Sequence, residues 1–89
     1  MEASVRVKIR YLATLRDGMG RGGEEVEFPA GSTLQDLADW ISGKYDLSLP
    51  APRVMATLNG RGWNQLPLGM NTRIGEGDVI ALFPPIAGG

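Results

Sequence analysis

The chain has 89 residues, enough for one domain with a single modest core and too few for a deep cleft between domains. Nine basic and ten acidic side chains give a formal net charge of −1, so neither nucleic acid nor an anionic membrane is expected as a partner. Cysteine and histidine are absent, which excludes thiolate nucleophiles, disulfides, imidazole bases and the usual zinc ligand sets, so neither a metal nor a bound cofactor is expected.

Met1-Glu2-Ala3-Ser4 lacks a signal-peptide core and no apolar run approaches the roughly 20 residues of a membrane span, so a cytoplasmic protein is expected. Val5, Val7, Ile9 and Tyr11 alternate with Arg6, Lys8 and Arg10, the period of a strand with one buried face and one basic face. Leu12 to Asp17 is expected to make a short helical turn with Leu12 and Leu15 against the core, followed by a mobile glycine-rich loop through Gly18, Gly20, Gly22 and Gly23. Glu24 to Phe28 reads as a second strand with Val26 and Phe28 inward, closed by Pro29-Ala30-Gly31 and forming a hairpin with the first.

Ser32 or Thr33 is a candidate N-cap with Gln35 or Asp36 as its partner, and a helix runs from there to Tyr45. Leu34, Leu37, Ala38, Ile41 and Tyr45 share its apolar side, with Trp40 at the flank as a half-buried lid. Leu47 to Pro52 is a proline-punctuated crossover, Val54 to Leu58 a third strand, Asn59-Gly60 a hairpin turn and Arg61 to Leu66 its short partner. Gly69 to Gly77 reads as irregular and Asp78 to Phe83 as the last strand. The order predicts an α+β fold in two layers, a single domain over residues 1–89 whose helix crosses one face of a mixed sheet. A right-handed crossover lets the first and last strands lie parallel at the sheet centre.

Residues 84–89, Pro84-Pro85-Ile86-Ala87-Gly88-Gly89, form a candidate reactive arm. The proline pair fixes φ, removes two backbone donors and launches the chain in an extended direction. Six extended residues reach roughly 20 Å, enough to enter a pocket on another protein. Gly88 and Gly89 carry no Cβ, so this backbone passes through a channel that a side chain would block, and the carboxylate of Gly89 is the implied reactive group. Parity along the last strand turns Val79, Ala81 and Phe83 away from the helix, making Phe83 at the arm's root a candidate interface anchor; the opposite register would make it ordinary core. Arg16 and the strip Arg6, Lys8 and Arg10 are candidate polar contacts at the rim.

Three segments carry a resemblance: Val7-Lys8-Ile9-Arg10-Tyr11-Leu12-Ala13-Thr14-Leu15-Arg16-Asp17, Gly31-Ser32-Thr33-Leu34-Gln35-Asp36-Leu37, and the stretch from Gly75 through Gly77-Asp78 to Phe83-Pro84-Pro85-Ile86-Ala87-Gly88-Gly89. The chain resembles the sulfur carriers of the ubiquitin-like β-grasp fold, and within them the small subunit of molybdopterin synthase more than the thiamine-pathway carriers, which typically lack the proline pair. The resemblance implies no catalysis by the chain alone. An adenylating, ubiquitin-activating-like enzyme would use ATP to activate the Gly89 carboxylate, a sulfur donor would replace the AMP, and the thiocarboxylate would deliver sulfur inside the large synthase subunit. Gly88 and Gly89 would then be the reactive end, and Phe83, Pro84, Pro85, Ile86, Ala87 and Arg16 the partner-binding residues. Three alternatives stand beside it: a ubiquitin-like modifier forming isopeptide bonds through Gly89, a sulfur carrier for another pathway such as that of thiamine, and a non-catalytic β-grasp binding module. Arg61 to Arg73 departs from the compact linker of these carriers, so Trp63 and Met70 either pack over the sheet edge or form a feature specific to this protein's partner.

Overall fold

The computed structural model describes residues 3–45, 47–49, 51 and 53–84. Strand β1 is Ser4–Tyr11, helix α1 Thr14–Met19, strand β2 Gly23–Pro29, helix α2 Leu34–Tyr45, strand β3 Met55–Leu58, strand β4 Arg61–Gly62 and strand β5 Val79–Phe83. The sheet order is β2-β1-β5-β3-β4, with β1 parallel to β5 and the other neighbours antiparallel. The expected central pairing is therefore present, in the register Ile9 with Ile80 and Tyr11 with Leu82. This is the β-grasp arrangement, a mixed sheet under one main helix.

The period of two explains which residues make the core. Val7, Ile9 and Tyr11 of β1, Ile80 and Leu82 of β5, and Leu34, Leu37 and Ile41 of α2 are completely buried together. Every second side chain of β1 and β5 thus meets the apolar stripe of α2. Thr33 and Asp36 cap the helix reciprocally: the Thr33 N–H donates to Asp36 Oδ2 at 2.9 Å and the Asp36 N–H to Thr33 Oγ1 at 3.4 Å. Trp40 is half-buried and packs edge-on against Phe28, with ring centroids 6.1 Å apart.

Three local expectations need correction. The helical turn begins later and runs further, as α1, and Leu12 stands outside the core at 38% exposure while Leu15 and Met19 pack against it. The glycines beyond it are not one loop: Gly20 is the left-handed cap of α1, its N–H bonded to the Arg16 carbonyl, and Gly23 already belongs to β2. A Cβ on Gly23 would lie 2.8 Å from the Ile9 carbonyl oxygen, so glycine there reflects close strand approach. The partner strand after Asn59-Gly60, whose φ values are both positive as the turn requires, is only two residues long.

The chain leaves β4 through the 3₁₀ turn Trp63–Gln65 because Trp63 drops into the core at 6% exposure. A second 3₁₀ turn, Gly69–Asn71, packs on α2, and Met70 adds to the core margin. Between 72 and 74 the backbone is knitted to the start of α2: the Leu34 N–H donates to the Thr72 carbonyl at 2.9 Å, and the Ile74 N–H to the Ser32 carbonyl at 3.0 Å. The unusual segment is thus a packed edge of the domain. Asp78 stands just before β5, with Oδ2 accepting from the Gly75 N–H and Oδ1 from the Asn59 amide, whose own Oδ1 accepts from the Val79 N–H.

Candidate functional site at the root of the last strand

Strand β5 is held on the β1 side as far as Leu82 and on the β3 side as far as Phe83. The Leu12 N–H donates to the Leu82 carbonyl at 3.0 Å on one side, and Phe83 stands opposite Met55 on the other. Ile80 and Leu82 face α2, so Val79, Ala81 and Phe83 face the open side of the sheet. Cross-strand partners share a face, so Met55 and Thr57 of β3 join them, as do Lys8 and Arg10 of β1. The open face is therefore apolar along its centre, with Met55 44% exposed beside the half-exposed Phe83, and cationic toward β1.

Of the sequence-predicted site residues, the structure places Phe83 and Pro84 partly exposed at the end of β5. Arg16 is exposed on α1, which packs beside β1 and β5 and so lies near the same end of the sheet. Pro85, Ile86, Ala87, Gly88 and Gly89 lie outside the described residues. Arg6 of the basic strip is paired with Glu27 at 2.9 Å across the hairpin, while Lys8 and Arg10 border the apolar centre. Met55 and Leu12 complete the apolar surround and were not among the expected residues. Met55 enters through the antiparallel pairing of β3 with β5, which sets it opposite Phe83; the Asn59-Gly60 turn fixes only the register of β3 with β4.

Beneath this root lies a charged group that alternation alone does not reveal. Glu24 opposes Ile9 and so points to the helix side, with its side chain only 9% exposed. It accepts from Tyr11 Oη at 2.7 Å, from Tyr45 Oη, from Lys44 Nζ at 2.9 Å and from Arg21 Nη1 at 3.3 Å. Burial opposes ionisation of this carboxyl, and the bonds from Lys44, Tyr45 and Tyr11 outweigh it, holding the group down at about 2. Burial first, and then the bond to Glu24, raise the Tyr11 phenol above its usual range. Lys44 Nζ also lies 4.9 Å from the Trp40 ring centroid, a cation–π contact. The network ties the end of α2 to Tyr11, the residue beside Leu82 at the root of the last strand.

A depressed carboxyl adds stability that is complete above its unfolded value of 4.5 and is lost as the pH falls toward about 2. Glu24→Gln is therefore expected to lower the neutral-pH unfolding free energy by about 2 kcal/mol. It should also flatten the decline between pH 4.5 and 2 in urea titrations. Equal acid-side slopes in the two proteins would show that the network does not couple folding to this proton.

The architecture defines a small ubiquitin-like β-grasp domain, with its central last strand leading out of the sheet beside an open apolar face. The ThiS family model matches residues 9–89, and the chain belongs to that family. A molybdopterin synthase sulfur carrier subunit of Mycobacterium tuberculosis is 30% identical over 87 residues, covering 96% of this chain and 99% of that protein. Small archaeal modifier protein 3 of Haloferax volcanii is 28% identical over 93 residues, covering 96% of this chain and all of that protein. In the solved complex of subunits 1 and 2 of the Helicobacter pylori molybdopterin-converting factor, one chain shares the fold at a TM-score of 0.68 and 22% identity, over 96% of this chain and 100% of that one. Among the described residues no helix is long and apolar enough to cross a membrane, and no group of three His, Cys, Asp or Glu residues could hold a metal ion.

Proposed function

We propose that this chain carries sulfur as a thiocarboxylate on Gly89 and donates it to molybdopterin synthesis inside a large synthase subunit. The observation that carries the reading is the course of β5. A central strand bonded on both flanks delivers Phe83 and Pro84 at its end, and the sequence continues through a second proline to Gly88-Gly89.

The chemistry follows from the leaving groups. Hydroxide is a poor leaving group, so a carboxylate resists acyl transfer; an adenylating partner converts it with ATP to an acyl-adenylate and pyrophosphate, and AMP leaves when a sulfur donor attacks the carbonyl carbon. The thiocarboxylate sulfur is then the nucleophile. Bases and phosphate contacts belong to the partners, in keeping with a chain that lacks histidine and cysteine. The open face supplies the contact: Phe83 and Met55 as apolar anchors, with Lys8, Arg10 and Arg16 at the rim. Relatives named sulfur carrier subunits support this pathway over that of thiamine, as does the proline pair.

A second reading, conjugation of Gly89 to target lysines, is favoured by the similarity to a small archaeal modifier protein. Mass spectrometry of the protein isolated from its own cells separates the two. Exchange of one oxygen for sulfur at Gly89 is the expected result, and branched lysine peptides ending in Gly88-Gly89 with no thiocarboxylate would replace the carrier reading by the modifier one.

A further inference from the structure

Strand β1 carries its three cations, Arg6, Lys8 and Arg10, on the open face, and strand β2 answers the first two of them. Arg6 stands opposite Glu27 and is bonded to it at 2.9 Å, and Lys8 stands opposite Glu25. Arg10 stands opposite Gly23, which has no side chain to offer. The series breaks for a reason of backbone geometry: a Cβ on Gly23 would lie 2.8 Å from the Ile9 carbonyl oxygen, so a carboxylate cannot be placed there without moving the strands. On its other flank Arg10 has Ala81, again with nothing to pair. Arg10 is exposed and, among the described residues, forms no ion pair. An open depression of about 490 Å³ adjoins it, bounded also by Lys8, Gly22, Gly23 and Glu25.

Arg10 lies one strand over and two residues back from Phe83 on the same face, roughly 8 Å away by strand spacing. A specific interface covers on the order of 800 Å² of each partner, a patch about 16 Å in radius, so a protein centred on Phe83 and Met55 covers Arg10 as well. Covering a guanidinium strips its water, and that cost is recovered only if the covering surface supplies an anionic acceptor.

A planar guanidinium binds a carboxylate or a phosphate through two parallel N–H···O bonds. Glu25 borders the same depression and the formal net charge of the chain is −1, so a polyanion meets repulsion at the site and no attraction at long range. One carboxylate balances the one cation of the strip that the sheet leaves unanswered.

We propose that Arg10 is a specificity-determining residue of the docking face and receives a single Asp or Glu side chain of the large partner subunit in a two-point ion pair, an inference that rests on the reading of that subunit as the partner of the open face. A protein that fits Phe83 and Met55 but lacks the carboxylate leaves a covered charge unpaired and is rejected. Arg6 and Lys8, already matched across the hairpin, contribute little to the choice.

The test is the binding of the full chain to the purified large subunit, measured by titration calorimetry. Arg10→Gln is expected to weaken binding by roughly 30-fold or more. Lys8→Gln should change it by less than about threefold, and both variants should unfold in urea like the parent. Arg10→Lys puts an amine at this position, and a carbodiimide is expected to join it through an amide to an Asp or Glu of the subunit, read by mass spectrometry as a linked peptide pair. Undiminished binding by Arg10→Gln, equal losses for Arg10→Gln and Lys8→Gln, or no carboxylate linked at position 10 would each overturn the role of Arg10 while leaving the partner in place. A parent chain that does not bind the subunit at all would instead overturn the choice of partner, and this pairing with it.

Discussion

A chain lacking Gly89, and a chain extended by one residue beyond it, are both expected to be inert in ATP–pyrophosphate exchange with the adenylating enzyme while unfolding at the same denaturant concentration as the parent. The chemical half of this expectation rests on position. The reacting carboxylate must sit at the end of a backbone narrow enough to thread a channel, and either change moves it by one residue, roughly 3.5 Å. A shift of that size removes the alignment on which in-line attack at a phosphoryl group depends. The structural half rests on β5, whose described ladder contacts are complete by Phe83, so the unfolding free energy should change by less than about 0.5 kcal/mol. Undiminished exchange by the shortened chain would show that Gly89 is not the activated group.

Two adjacent residues of β5 should separate stability from recognition. Leu82 is completely buried under α2, and Leu82→Ala should cost about 2–5 kcal/mol of unfolding free energy. Phe83 faces the other way, opposite the exposed Met55, and Phe83→Ala should have the smaller effect on unfolding. It should instead weaken binding to the large partner by on the order of 2 kcal/mol. If calorimetry finds Phe83→Ala with full affinity, the open apolar centre is not the docking surface, and the contact must lie at the sheet edge or on α1.

Most of the layout could be read from alternation and capping. The Val7, Ile9, Tyr11 pattern, the Leu34 to Ile41 stripe and the Thr33–Asp36 exchange each depend on residues within a few positions of one another, and local physics places them correctly. What was illegible depends on distant partners. Glu24 sits in a strand position that alternation marks as inward, yet a carboxylate is unwelcome there unless Tyr11, Tyr45 and Lys44, 13 to 21 residues away, converge on it. A helical turn starting at Leu12 would put that side chain inside with Leu15, but α1 begins only at Thr14 and the Leu12 N–H is taken by Leu82 at the rim, leaving the side chain outside. The short β4 and the two 3₁₀ turns follow from Trp63 seeking the core, a tertiary demand that overrides the hairpin signal of Asn59-Gly60. At the site, the register and thus the outward face of Phe83 were legible, whereas Met55 became visible only once β3 was paired with β5.

The position of β5 has a mechanical consequence. A partner that draws the arm into a channel pulls along the axis of this strand, and the pull meets β1 on one side and β3 on the other. Ladder hydrogen bonds to an antiparallel neighbour run across the strand direction, so such tension loads them together in shear instead of opening them one at a time. An edge strand such as β2 or β4 would share the load with one neighbour only. The handle by which the molecule would be gripped is the strand least able to peel away, so repeated insertion and withdrawal need not unravel the domain.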